Sequence, residues 1–146
     1  MLRVFLDANV YFAGAASSTG GSALILQLIL TGRIEVAASR LVLREAERNL
    51  RHKRSPKDLQ AFHQFLKHAK LRVVRTPPDT AWKPYEGVMH PKDVPVPVLA
   101  AAVASKAAYL VTLDRRHFLT KAVSGAVPGL VILTPGDFLR ERIRQG

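Results

Sequence analysis

The spacing of apolar positions changes several times along the chain, and each change marks an element. Val4, Phe5 and Leu6 form a short apolar run bounded by polar residues. A run of that length reads as a strand buried on both faces. Comparable runs at 34–38, 71–75, 109–113 and 130–133 predict four more strands. Between them the period lengthens to that of a helix. Residues 23–30 are apolar nearly all round, with Ser22 as the expected cap and Gly32 as the stop. Such a helix is either buried or carries an interface, and burial is the simpler reading.

Ser39 is a good N-cap for a helix from 40 to about 54, in which Val42, Ala46 and Leu50 share one face. Pro56 opens another helix reaching about 70, lined inside by Leu59, Phe62, Phe65 (or Leu66) and Ala69. Residues 82–89 suit a short helix, and the Ala-rich stretch 99–104 suits a further one. Proline lacks an N–H and is tolerated only in a first turn, so Pro95 and Pro97 constrain that helix's start; with Val94 as N-cap they fall at N1 and N3. Thr134-Pro135-Gly136-Asp137 opens the last helix. Residues 15–22 are small and polar and read as a loop, without the Gly-Lys-Ser/Thr of a phosphate-cradling loop. Alternation of strands and helices predicts an α/β fold. It would be one domain over 1–146, with a central parallel sheet of about five strands flanked by helices and joined by right-handed crossovers.

Composition narrows the chemistry. The chain has 146 residues and no internal repeat or linker, which suits one domain with a sizeable core. With no cysteine, disulfides, thiolate metal sites and cysteine nucleophiles are excluded. Strand pattern begins almost at the first residue, leaving no room for a signal peptide, and the apolar stretch 23–30 is too short to span a bilayer. The expectation is a cytoplasmic protein with no membrane partner. Lys and Arg number 22 against 11 acids, a formal charge of +11. Such an excess favours a polyanionic partner, most often nucleic acid, over a merely soluble basic surface.

The acids carry the sharper signal. Asp7 directly follows the first apolar strand, and Asp114 directly follows 109–113. In open α/β sheets, ligands bind just outside the carboxyl ends of strands. Asp7 taken alone is equally well read as the cap of a helix beginning near Ala8 or Asn9. Glu45 sits beside the buried face of its helix, and Asp93 lies just before the Pro95 helix, near its positive end. Four converging carboxylates repel one another, which raises pKa values. Mg²⁺ or Mn²⁺ resolves that conflict, since both take oxygen ligands and keep several waters. Such ions also stabilise charge on a phosphoryl oxygen. Arg40, Arg44, Arg48 and Arg51 form one basic stripe on the Glu45 helix, and Arg115 and Arg116 follow Asp114. His63 and His68 are five residues apart, a poor chelating spacing, and read as surface residues.

These stretches resemble the four motifs of PIN-domain nucleases. They are Val4-Phe5-Leu6-Asp7-Ala8-Asn9-Val10, the Glu45 helix, Lys92-Asp93 before Val98-Leu99-Ala100-Ala101-Ala102, and Leu110-Val111-Thr112-Leu113-Asp114-Arg115-Arg116-His117-Phe118. The chain is most similar to the VapC-like toxin components of toxin–antitoxin modules. The resemblance implies a Mg²⁺- or Mn²⁺-dependent endoribonuclease, with RNA as substrate, an antitoxin protein as partner, and a homodimer or higher oligomer. By motif, Asp7, Glu45, Asp93 and Asp114 would be the catalytic, metal-binding acids, and Asn9 and Thr112 supporting polar groups. Arg44, Arg48, Arg115 and Arg116 are the expected RNA contacts. Two departures stand out. Val94-Pro95-Val96-Pro97 is longer than the usual spacing, which displaces Asp93, and Arg116 stands where some members carry a further acid. Two other readings remain open. One is an RNA-binding PIN-like module that has lost cleavage. The other is a phospho-acceptor domain like a response regulator, which the +11 charge and the Arg-Arg-His run argue against.

Overall fold

The computed structural model describes residues 2–89 and 95–145. Strand β1 (Arg3–Leu6) is the middle of a five-stranded sheet. The others are β2 (Glu35–Ser39), β3 (Leu71–Val74), β4 (Tyr109–Val111) and β5 (Val131–Leu133), in the order β3-β2-β1-β4-β5. Every pairing is parallel, and Phe5 stands opposite Ala37 on one side and Leu110 on the other. Val4, Phe5 and Leu6 are fully buried, as expected for a strand with neighbours on both edges and helices on both faces. Because all strands run the same way, their carboxyl ends share one edge of the sheet.

The described helices are α1 (Ala8–Ala16), α2 (Gly21–Leu30), α3 (Arg40–Lys53), α4 (Pro56–His68), α5 (Lys83–Glu86), α6 (Pro95–Ala104), α7 (Lys121–Ala126) and α8 (Pro135–Gln145). A 3₁₀ turn, Asp79–Ala81, precedes α5. Helix α3 follows its sequence pattern closely. Val42, Ala46 and Leu50 are buried, and the Ser39 hydroxyl accepts from the Val42 N–H at 3.3 Å. Ser39 therefore both ends β2 and caps α3. In α4, Phe62 and Phe65 are the buried residues, and Tyr11 of α1 packs against both rings at 6.1 Å. Each such buried side chain contributes about 1.5–3 kcal/mol of hydrophobic stabilisation.

Three local readings change. Residues 8–16 form the helix that Asp7 caps, so the loop expected over 15–22 is confined to 17–20, between α1 and α2. Helix α1 has few polar positions to reveal a helical period, and its burial comes from packing against α2, α3 and α4. Helix α2 starts at Gly21 with Gly20 as N-cap, not Ser22, because Gly20 takes φ +97°, a left-handed conformation open to glycine. Ser22 is buried in the first turn instead. Helix α7 arises where no element was expected, capped by Thr120, whose hydroxyl accepts from the Val123 N–H at 3.2 Å. Close packing of α1 on α2 depends on Gly14, where a Cβ would come within 2.5 Å of the Leu26 side chain. No single helix among the described residues is long and apolar enough to cross a membrane.

Candidate active site

The end of β1 places Asp7 at the carboxyl edge of the sheet, where it is nearly fully buried. Its two possible roles coincide. Asp7 is the N-cap of α1, with Oδ1 accepting from the Ala8 N–H at 2.8 Å. Oδ2 accepts from the Thr112 hydroxyl at 2.8 Å and from Asn9 Nδ2 at 3.2 Å. Asn9 is itself fixed, since its Oδ1 accepts from the Leu113 N–H at 3.0 Å. Asp7 is thus held by Asn9 of α1 and by Thr112 of the segment that follows β4, and that segment also fixes Asn9.

Asp114 stands beside this group, half-buried, after the turn that follows β4. Its backbone N–H donates to the Thr112 hydroxyl at 3.0 Å. Its carboxylate is oriented by His117: Oδ1 accepts from the backbone N–H at 3.0 Å, and Oδ2 lies 2.8 Å from Nδ1. In the tautomer with hydrogen on Nδ1, the imidazole donates that contact to the carboxylate.

A cavity of about 470 Å³ opens over these residues, and Asp7, Glu45 and Asp114 all line it. Glu45 reaches it from α3, together with Asn49 and Lys53. Those three follow at intervals of four residues, so one face of α3 forms a wall of the cavity. Burial holds the Asp7 carboxyl up at about 6, against an ordinary 3.8. Hydrogen bonds from Thr112 and Ala8 lower it, while the charges of Glu45 and Asp114 raise it again. The cavity is therefore a place where negative charge is in excess and poorly solvated.

Oxygen donors in such a place suit a hard divalent cation, whose charge would offset both burial and repulsion. Asp7, Glu45 and Asp114 are the described residues with the right donor chemistry. Among the described residues, however, no group of three acidic or histidine side chains is gathered closely enough to hold an ion unaided. Mg²⁺ and Mn²⁺ keep several waters, so direct ligation by all three is not required. Asp93 and Lys92 lie outside the described residues.

The basic residues distribute differently. Arg44 lines a separate cavity further toward the start of α3. Arg48, Arg115 and Arg116 are exposed, and none of them lines the acidic cavity. Sequence reading singled out none of Asn49, Lys53 and His117. The first two were legible as the i+4 and i+8 positions from Glu45 on a helix already predicted. His117 gave a weaker signal, three residues after Asp114.

A parallel five-stranded α/β sheet with a carboxylate-lined cavity at its carboxyl edge defines the class of this protein. A family model for the PIN domain matches residues 3–116, and the chain belongs to that family. Its fold is similar to that of VapBC2 from Rickettsia felis, solved bound to a DNA fragment from their promoter. There the TM-score is 0.62 at 16% identity, over 91% of this chain and 98% of that one. It is also similar to the Sarcin-Ricin loop cleaving toxin VapC20 of Mycobacterium tuberculosis, with TM-score 0.54 and 18% identity over 77% and 91% of the two chains. A third similar structure is FitAB bound to an IR36 DNA fragment, with TM-score 0.56 and 16% identity over 90% and 94%. At these identities the likeness is one of fold. No curated protein matches the sequence.

Proposed function

We propose that this PIN-domain protein is a Mg²⁺- or Mn²⁺-dependent endoribonuclease and the toxin of a toxin–antitoxin pair. The observation that carries the reading is the shared cavity of Asp7, Glu45 and Asp114, three acids from three separate motifs. VapC20, similar in fold, cleaves the Sarcin-Ricin loop, and the VapBC2 and FitAB structures support an antitoxin partner.

In this reading Asp7, Glu45 and Asp114, joined by Asp93, hold the cation. When bound, the cation supplies charge stabilisation at the scissile phosphate and an acidified water. Asn9 and Thr112 keep the Asp7 carboxylate fixed by the hydrogen bonds described above. His117 does the same for Asp114. Lys53 offers an ammonium to the same cavity, placed to attract a phosphate. The +11 charge draws a polyanion toward a surface whose centre is acidic.

The test is cleavage of single-stranded RNA by the purified chain. Activity is expected with Mg²⁺ or Mn²⁺, and its loss with excess EDTA. Asp7→Asn and Asp114→Asn are each expected to abolish it with the fold intact, and Asp93→Asn to reduce it severely. Full cleavage in EDTA, absent from an Asp7→Asn preparation purified alongside, would overturn the metal dependence.

A further inference from the structure

A second cavity, of about 380 Å³, is lined by Arg40, Leu41, Arg44, Thr76, Trp82 and Pro97. Arg40 is the first residue of α3, directly after β2, and Thr76 lies just beyond the end of β3. The cavity therefore sits on the same carboxyl edge of the sheet as the acidic one, displaced toward β2 and β3. Neighbouring residues divide between the two: Arg44 and Pro97 face this cavity, while Glu45 and Val98 face the acidic one. A strand laid along that edge would pass both.

The lining chemistry is specific. Trp82 is half-buried, and its indole N–H donates to the Pro77 carbonyl at 3.0 Å. The ring's polar atom is thus committed to the protein, and its aromatic surface lines the cavity. Arg40 and Arg44 are exposed, and among the described residues neither has an ion-pair partner. Arg51 and Arg54, on the same helix and its cap, are by contrast paired with Glu47 and Asp58. A bare anion has no use for the indole, and an apolar ligand has no use for two guanidinium groups. A nucleotide uses both: its base stacks on an aromatic face, and its phosphate accepts from arginine.

We propose that this cavity is a nucleotide subsite, in which one base of the RNA strand flanking the scissile bond packs on Trp82 while Arg40 and Arg44 hold its phosphate. The inference rests on the ribonuclease reading above and deepens it by naming where the substrate lies outside the acidic centre.

Trp82 is the only tryptophan of the chain, so tryptophan emission, excited beyond the absorption of the three tyrosines, reports on this cavity. The experiment titrates a short single-stranded oligoadenylate into the protein in Ca²⁺, with the RNA recovered intact. Tryptophan fluorescence and the anisotropy of end-labelled RNA are followed in parallel. Saturable quenching with the same Kd as the anisotropy is expected. Trp82→Ala should weaken binding by about tenfold, and Trp82→Phe should retain most of it. Arg40→Ala/Arg44→Ala should weaken binding and remove the quenching. Circular dichroism melts check the fold of each variant, and the wild-type quenching decides the matter if Trp82→Ala does not fold. RNA that binds by anisotropy with unchanged fluorescence, and binds the double arginine variant as tightly as wild type, overturns the subsite and leaves the ribonuclease reading standing. An absence of any anisotropy change overturns the subsite as well, and the cleavage assay then decides the ribonuclease reading on its own.

Discussion

The Thr112 hydroxyl joins the two strand-end acids: it donates to Asp7 Oδ2 at 2.8 Å and accepts from the Asp114 backbone N–H at 3.0 Å. Thr112 is fully buried, so no water stands ready to replace either bond. Thr112→Val keeps the shape and removes the hydroxyl. The expected outcome is a loss of about 1–3 kcal/mol in unfolding free energy, and an Asp7 carboxyl pushed further up. Thr112→Ser should recover most of the loss. Denaturant unfolding of the three proteins checks this.

Asp7 also sets a pH dependence of unusual sign. Its carboxyl is raised to about 6 in the folded protein, from an unfolded value near 3.8. The folded state therefore holds the proton more tightly. The stability linked to this group is full below about pH 4 and is lost as pH rises through about 6. At about 1.4 kcal/mol per pH unit, the penalty at neutral pH is about 3 kcal/mol. Other carboxylates dominate the acid limb, so the clean measure is a difference. In metal-free protein, the stability of Asp7→Asn relative to wild type should climb between about pH 4 and 6 and level off above. Changed hydrogen bonding in the variant moves that curve by a constant and leaves its slope. Mn²⁺ should stabilise the wild type at neutral pH and leave Asp7→Asn unmoved, since ligand binding to the folded state alone raises stability.

Tyr11 presents a different strain on the core. It is fully buried, and its hydroxyl has no hydrogen-bond partner among the described residues. Burial accordingly pushes its ionisation well above the ordinary range. Its ring packs on Phe62 and Phe65 and would do so equally as phenylalanine. Tyr11→Phe is therefore expected to raise unfolding free energy by about 1 kcal/mol or more, since an unsatisfied buried hydroxyl costs about 1–3 kcal/mol. A fall in Tm for that variant would show that the hydroxyl has a partner in solution.

Arg44 and Arg48 lie one turn apart on α3; Arg44 lines the Trp82 cavity, and Arg48 lines neither that cavity nor the acidic one. Arg44→Ala should accordingly cost more RNA affinity than Arg48→Ala at any one salt concentration. If each holds a phosphate, each variant should also reduce the salt slope by about 0.7. Thermal stability should hardly change, because exposed charges contribute little to folding. RNA affinity across a salt series is the measurement. Equal and negligible effects would mean that this face of α3 is only a solvated one.

Much of this protein is decided within single segments. Val4-Phe5-Leu6 reads as a central strand because a continuous apolar run can be accommodated only where both faces are covered, and it is covered on both. Helix α3 is legible because its period, its Ser39 cap and its polar outer face all agree. Asp7 and Asp114 are legible as site candidates because each ends an apolar strand, and parallel strands bring those ends to one edge. The start of α1 is legible from Asp7 as a cap, whereas its end is not, because the helix has few polar positions from which a period can be read. Which faces meet is another matter, since a helical period defines a face and says nothing of what lies opposite. Only the packing of α3 against α1 turned Glu45, Asn49 and Lys53 into one wall of the acidic cavity, opposite Asp7 and Asp114. The same packing left Arg48, Arg115 and Arg116 outside it. Trp82 joins Arg40 and Arg44 although some forty residues of chain separate them, a contact made by the strand order β3-β2-β1 and not by any local pattern. Local sequence sets what each segment can bury; the long-range pairing of segments sets which chemistry ends up side by side.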